Sequence, residues 1–299
     1  MAKFNSAGLL RKRPFRSLTG VTPVQFLAMS RKLRPLWKQR IVERKNRSGR
    51  PWGVGGLDDH LPVLLILYRC HITQEFLGCL YDVDKATICR SLKRIESLAV
   101  RVLGIARRMV VSAEEAEALI VDCTEQTVYR PCRQQRRWYS GKKKRHTIKT
   151  EIVVTAKGRI VAASRPAPGR VHDLELRRRG LPLPKGSRLY ADSGYQGYQH
   201  DHPAIDIPYK RSKKRPLTKD ERAYNHALSR FRVRVEHAIA RLKSFRLLAD
   251  RFRYPKAAYA TKFAIVAGVV NLVAGAWPCG PLPGAWRPTR CSAWATSAT

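Results

Sequence analysis

The chain has 299 residues, 44% of them hydrophobic, which suffices for one large or two medium-sized cored domains and excludes global disorder. It carries 59 lysines and arginines against 22 aspartates and glutamates, a formal net charge of +37. Such a chain repels itself unless a polyanion neutralises it, which argues against an ordinary small-molecule enzyme and points to nucleic acid. The charge is spread along the whole length, as a long binding surface requires; a generally basic or ribosome-associated protein of a high-GC genome is the plainer alternative.

Residues 44–56, Arg-Lys-Asn-Arg-Ser-Gly-Arg-Pro-Trp-Gly-Val-Gly-Gly, read as a loop or linker by their Gly, Pro and charge content. The apolar run Leu61–Cys70 predicts a helix. Thr73 is placed to cap a second helix ending near Tyr81, and Asp82 or Asp84 to cap a third reaching about Leu103. In that third helix Ile88, Leu92, Ile95, Ala99 and Val102 share one face, with Arg90, Lys93, Arg94 and Arg101 opposite. A short helix, a tight connection and a basic amphipathic helix over about 61–103 predict a helix-turn-helix, with the basic face of residues 85–97 in a DNA groove. A helical bundle with a solvated basic face has the same pattern.

From residue 118 the pattern becomes α/β. Ala118–Asp122 is a short buried-strand candidate. Thr150–Thr155 and Arg159–Ser164 read as a hairpin around Lys157-Gly158, Val171–Arg179 as a short helix, Arg188–Asp192 as a strand, and Lys219 to about Leu248 as a long helix broken once. Phe263–Trp277, interrupted by Asn271, is shorter than the roughly 20 residues of a membrane span and predicts a buried terminal helix. Residues 278–299 read as a loose tail. Met1–Leu10 has no apolar core of a secretory signal, and none of the seven cysteines forms a close pair, so reduced thiols in a cytoplasmic, DNA-associated protein of the nucleoid are expected, with no membrane partner.

Three acids stand out in this basic background. Asp122 follows Ala118-Leu119-Ile120-Val121, Asp192 follows Leu189-Tyr190-Ala191, and Glu236 lies in the long helix. There Phe231, Val235, Ala238, Leu242 and Phe245 form an apolar stripe. Measured from Phe231, Arg232, Glu236 and Lys243 fall at about 100°, 140° and 120°, on one strip beside it. Glu236 and Arg232 are four residues apart and could simply pair with each other. Two strand-end aspartates plus a helical glutamate, if they converge, can instead hold two divalent cations about 3.5–4 Å apart beside a phosphodiester. Hard oxygen donors select Mg2+ or Mn2+.

Nearby, Glu125 reads as a hydrogen-bonding or substrate-contacting residue, Asp173 as a helix cap or outer acid, and His172 as a structural histidine or proton shuttle. The tracts Gly141-Lys142-Lys143-Lys144-Arg145-His146 and Lys210-Arg211-Ser212-Lys213-Lys214-Arg215 can each neutralise several phosphates. Trp138, Tyr139, Tyr195 and Tyr198 lie close to these groups, as packing residues or as faces for an unpaired base.

Several motifs in order resemble those of DDE-superfamily transposases, in the group related to bacterial insertion-sequence-five elements and the Harbinger enzymes. They are Val121-Asp122-Cys123-Thr124-Glu125, Tyr139-Ser140-Gly141-Lys142-Lys143-Lys144, Pro168-Gly169-Arg170-Val171-His172-Asp173, Ala191-Asp192-Ser193-Gly194-Tyr195-Gln196-Gly197 and the helix Tyr224-Asn225 through Lys243. The resemblance covers roughly 118–250. It implies an N-terminal helical DNA-binding region over 1–110 and a ribonuclease H-like catalytic domain over 111–277. It further implies Asp122, Asp192 and Glu236 as the catalytic acids that hold two Mg2+ or Mn2+ ions. DNA contacts are expected from Arg90, Lys93, Arg94, Lys142, Lys143, Lys144, Arg232 and Lys243. Bacterial relatives carry Tyr, Arg, Glu and Lys around the third acid; here Arg232, Glu236 and Lys243 match, and Ser229 stands at the tyrosine position. The function implied is an insertion-sequence transposase that binds terminal inverted repeats, cleaves strands and transfers the 3′-hydroxyl to target DNA as a homo-oligomer. A DNA-binding regulator without catalysis and a stand-alone endonuclease are the alternatives.

Overall fold

The computed structural model describes residues 8, 14–43, 52–105, 109–212 and 215–275. The tail 278–299, most of the 44–56 linker, Lys213, Lys214, Cys279 and Cys291 lie outside the described residues. In chain order the elements are α1 Phe15–Thr19, α2 Pro23–Trp37, α3 Leu57–Cys70, α4 Gln74–Tyr81, α5 Lys85–Val102, α6 Ala113–Ala116, β1 Leu119–Thr127, α7 Gln135–Trp138, β2 Tyr139–Ser140, β3 Arg145–Thr155, β4 Ile160–Ala163, β5 Ala167–Pro168, α8 Asp173–Arg178, β6 Leu189–Tyr190, β7 Ile205–Asp206, α9 Lys219–Lys243, α10 Arg246–Ala249 and α11 Tyr259–Val273. Seven strands form one mixed sheet in the order β2-β3-β1-β6-β7, with β4 and β5 also pairing β3.

The N-terminal helices start where their caps dictate. Thr22 and Gln25 make a reciprocal capping box at α2, and Thr73 Oγ1 accepts from Phe76 N at 3.1 Å at α4. Asp82, in left-handed conformation, ends α4, and Asp84 takes the N-cap position of α5 without a side-chain cap bond. On α5, Ile88, Leu92, Ile95 and Ala99 are buried as their spacing predicts, and Leu98 and Val100 are buried as well, because α11 crosses this end of the helix. The crossing is close: a Cβ on Gly268 of α11 would overlap the Leu103 carbonyl, so only glycine fits there. Lys262 of α11 pairs with Glu96 of α5, and Tyr68 of α3 donates to the same carboxylate at 3.0 Å. A single apolar core therefore runs from these helices to the α9 face of the sheet, where it includes Ile120, Ile152, Val235 and Leu242. A second, smaller core fills the other face around Val121, Val153, Leu189 and Tyr195.

The sheet extends beyond its predicted bounds. β1 runs on to Thr127 and β3 begins at Arg145, because the two pair antiparallel along the whole length from Leu119↔Thr155 to Thr127↔Thr147. Ladder hydrogen bonds carry polar residues that hydrophobicity alone does not mark as strand. The parallel neighbour β6 pairs only Leu119↔Leu189 and Ile120↔Tyr190. β1 thus loses its parallel partner just before Asp122. Gln126 ties the far half of β1 to α10, donating to Leu247 O at 2.6 Å and Asp250 O at 2.8 Å. Asn271, the polar interruption in the terminal apolar run, bonds both the N–H and the carbonyl of Ile160 on β4 at 2.9 and 2.8 Å. The helix that contains it is apolar enough to cross a membrane by composition, yet most of it is buried in the core.

His60 of α3 is fully buried, with Nδ1 on Gly56 O at 2.9 Å and its ring against Trp37 and Trp52. Burial, aided by Arg94, pushes its pKa down to about 4 against the opposing Gly56 carbonyl. Between that value and the unfolded value near 6.5 the unfolded chain binds a proton that the folded chain refuses, so acidification costs stability. From about pH 7.5 to about pH 5 this residue should cost about 2 kcal/mol. Urea unfolding followed by tryptophan fluorescence should show that excess loss in the wild type relative to His60→Gln; equal pH slopes in the two proteins would refute it.

Candidate active site

The β1–β3 register sorts the polar residues of both strands onto two faces. Toward α8, Glu125 stands opposite Lys149, Cys123 opposite Glu151 and Thr127 opposite Thr147. Toward α9, Asp122 pairs with Ile152 and Gln126 with Ile148. Asp122 therefore lies inside β1 rather than at its end, a correction to the sequence expectation; what ends at its level is the parallel partner. Continuing the β1–β6 register by two residues brings Asp122 abreast of Asp192, and neighbouring strands are about 4.8 Å apart.

Asp122 is mostly buried, with 23% of its side chain exposed, and its Oδ2 lies 3.7 Å from Arg232 Nη2. Its Oδ1 accepts from Cys123 N at 2.7 Å. Burial pushes its pKa up to about 6; Arg232 and the Cys123 amide oppose that, while Asp192 and Asp173 add to it. The Asp192 carboxylate accepts from Gly194 N. Gly194 is where two acids close in: an added Cβ would sit 3.0 Å from Asp173 Oδ2 and 3.3 Å from Asp192 Oδ1. Asp122, Asp192 and Asp173 thus crowd one corner of the sheet, with Arg232 the nearest cation to Asp122.

Glu236 sits one turn beyond Arg232 on the same α9 strip, exposed to solvent. Arg232 turns to Asp122, so the Arg232–Glu236 helix pair that sequence spacing allows is not formed. Among the described residues no three Asp, Glu, His or Cys groups meet in metal-holding geometry, so Glu236 is not drawn in to Asp122 and Asp192 here. The apolar stripe beneath it packs as predicted, with Val235, Ala238, Leu242 and Phe245 buried and Phe231 against Tyr190 at 4.4 Å. Lys243, farther along the strip, is close enough to Lys143, Glu125 and Asp122 to feel each; burial and Lys143 lower its pKa against the two acids.

Sequence reading missed Lys149. It is buried on β3, with Nζ 2.9 Å from Asp173 Oδ1, 3.6 Å from Glu125 Oε1 and donating to Val171 O at 2.8 Å. Burial alone would lower its pKa, but Asp173 and Glu125 together hold it above the ordinary lysine value. Only its position directly across from Glu125 could have signalled it, and that needs the register. Glu125 also accepts from Thr147 Oγ1 at 2.8 Å, fitting its expected hydrogen-bonding role. The cap of α8 is His172, whose Nδ1 accepts from Leu174 N at 3.3 Å, which frees Asp173 for Lys149. Tyr195 is fully buried beneath the site with its hydroxyl 3.3 Å from Cys123 Sγ, so it packs and is no base-stacking face. Tyr139 is exposed, Trp138 carries Lys256 over its ring and Tyr198 stacks on His202. Lys142, Lys143 and Lys144 are exposed on the β2–β3 turn, Arg90 and Lys93 on α5, and Arg94 lies partly over Trp52.

The model of the DDE superfamily endonuclease family matches residues 121–271, half of the chain. The chain belongs to the DDE superfamily endonucleases. It is an enzyme of the DDE nuclease and transposase type. It is 26% identical over 274 residues to the probable transposase for insertion sequence element IS702 of Microchaete diplosiphon, covering 90% of this chain and 97% of the relative. It is 27% identical over 238 residues to the putative transposase for insertion sequence element IS112 of Streptomyces albus G, covering 78% and 84%. A shorter stretch of 83 residues is 41% identical to the transposase for insertion sequence element IS1106 of Neisseria meningitidis serogroup B, covering 26% and 27%. DDE-type endonucleases generally use divalent metal ions such as Mg2+. The carboxylate oxygens of Asp122 and Asp192 are hard donors of the type such an ion takes, although among the described residues they do not form a completed metal-holding group.

Below the corner, Glu151 and Arg177 form a salt bridge of 2.6 Å with both side chains 2% exposed. Burial raises the Glu151 pKa to about 7 against the pull of Arg177 and the Tyr195 hydroxyl. Removing the guanidinium strands the carboxylate in the core, so Arg177→Met should cost about 3–5 kcal/mol in urea unfolding. The double change Glu151→Gln, Arg177→Met should recover most of it; no recovery would mean the cost is packing and not charge.

Proposed function

We propose that the chain is an insertion-sequence transposase that binds the terminal inverted repeats of its element, cleaves a strand at each end and transfers the 3′-hydroxyl to target DNA. The observation that supports the reading is the closeness of the Asp122 and Asp192 carboxylates, near enough for each charge to be felt by the other, in a chain of net charge +37. A phosphodiester would be drawn in by the surrounding cations, while the acids would accept divalent ions alongside it.

Asp122, Asp192 and Glu236 would hold Mg2+ or Mn2+, two ions in all, within a ribonuclease H-like domain over 111–277. When bound, the ions supply charge neutralisation at the scissile phosphate and activation of the attacking oxygen. The protein's own part is to place the strand. Arg232 is suited to a phosphate, since its Nε is buried without a hydrogen-bond partner among the described residues. Lys243 and Lys143 flank the same path, with Lys142 and Lys144 beside them. Lys149 locks Glu125 and Asp173 behind the site, keeping those carboxylates from drifting toward the strand. The 1–110 region, with α4 and α5 as a helix-turn-helix over about 61–103, would read the repeat through Arg90, Lys93 and Arg94. Cutting two ends together calls for a homo-oligomer on DNA, acting in the cytoplasm at the nucleoid.

A labelled duplex ending in the element's repeat, incubated with Mg2+ and a target plasmid, should give joined product. Cleavage without joining would make the chain a nuclease, and binding alone a regulator. Asp122→Asn, Asp192→Asn and Glu236→Gln should each lower cleavage about a thousandfold with duplex binding retained; full activity in any one removes that residue from the acid set.

Arg90→Ala with Arg94→Ala should weaken repeat binding and make the logarithmic salt dependence shallower by about two. Unchanged affinity would move the reading surface off α5.

A further inference from the structure

The excursion between β1 and β3 has a feature that neither the acids nor Lys142–Lys144 explain. From Gln126 to Thr150 the chain has nine lysines and arginines and no aspartate or glutamate. At the end of β1, this stretch and the segment after α10 enclose a hollow of about 540 Å3 whose lining includes Tyr129, Arg130, Arg145, His146 and Arg251. Tyr129 is 56% exposed, and the Arg251 guanidinium lies over its ring at 5.0 Å.

These groups are set in place from behind. Val128 and Phe252, the chain neighbours of Tyr129 and Arg251, form a parallel β-bridge. Val128 N donates to His146 O and Phe252 N to Thr127 O, each at 2.9 Å. Arg130 donates Nε to Gln135 Oε1 at 2.8 Å, and Arg145 donates Nε to Lys143 O at 3.2 Å. Side chains fixed before a ligand arrives lose less entropy on binding it.

Three guanidiniums without a carboxylate make a hollow for a phosphate. The tyrosine adds a flat face, which a phosphate inside a duplex does not use but an unpaired nucleotide does, because its base is free to stack. The hollow also lies within a few nucleotides' reach of Asp122. Thr127 is five residues from Asp122 along β1, about 17 Å at strand spacing, a distance of a few nucleotides. Lys143, beside Arg145, lies within electrostatic reach of Lys243, which itself reaches Asp122, so cations bridge the interval.

We infer that Tyr129, Arg130, Arg145 and Arg251 form a binding site for an unpaired nucleotide of the DNA strand that passes Asp122, with the base against Tyr129 and the phosphate among the arginines. This rests on the reading of the chain as a DNA-cleaving transposase, but not on which acids cleave.

The test compares a blunt duplex with the same duplex carrying a short single-stranded tail, in buffer with a metal chelator. 2-Aminopurine is placed at each tail position in turn. The wild type should bind the tailed DNA about tenfold more tightly and quench the fluorescence at one or two tail positions. Tyr129→Ala should lose both effects with its blunt-duplex affinity and melting temperature unchanged, Tyr129→Phe should keep them, and Arg251→Ala should reduce the preference. No preference in the wild type, a preference retained by Tyr129→Ala, or equal loss in the Ala and Phe variants would overturn the site and reduce the Tyr129–Arg251 contact to packing. A tail preference that follows Tyr129 in a protein that never cleaves would support the site while refuting the transposase reading.

Discussion

A carboxylate removed from water must find a cation, and the site depends on how unevenly that demand is met. On and beside β1 and β3, Glu151 has Arg177 at 2.6 Å, and Glu125 and Asp173 share Lys149. Asp122 has its guanidinium no nearer than 3.7 Å and Lys243 farther off, with Asp192 and Asp173 adding to its negative surroundings. The neutralised acids form a stiff floor. Asp122, by contrast, keeps a raised pKa because burial outweighs the pull of Arg232.

That unevenness follows from a mismatch in strand length. β1 and β3 pair over nine positions, whereas β6 accompanies β1 for two. While three strands are present, side chains face apolar layers and are Leu, Ile and Val. Where β6 stops, the β1–β3 ladder runs on and carries polar residues with its backbone still paired to β3. Gln126 ties the α10 turn that follows α9 to β1, and α9 packs along one side through its buried Val235, Ala238 and Leu242. Its strip of Arg232, Glu236 and Lys243 is thereby aimed along the same line as the acids of β1.

The N-terminal helices are welded to this arrangement through α11. Its glycine contact with Leu103, the Lys262–Glu96 pair and the shared apolar core make α5 and the sheet parts of one packed body. The basic face of α5 is consequently held in a fixed relation to the sheet.

Much of this was legible in the chain itself. The α4–α5 pair, the β3–β4 hairpin, the broken helix over α9 and α10 and the buried α11 announce themselves because caps, Gly turns and apolar periodicity act over a few residues. The α2 capping box of Thr22 and Gln25 was equally local and went unread. Strands β2, β5 and β7, two residues each, carry no pattern, and the polar halves of β1 and β3 are strand only because each is the other's partner. The sequence by itself determined the charge, the helices and the identity of the acids worth examining, since composition and short-range periodicity are properties of the chain. Tertiary structure alone decided that Lys149 and not water satisfies Glu125 and Asp173, that Arg232 turns to Asp122 and away from Glu236, and that Tyr195 is buried while Tyr129 is exposed. Those outcomes depend on register and on which strand ends first, and neither is written in any one segment.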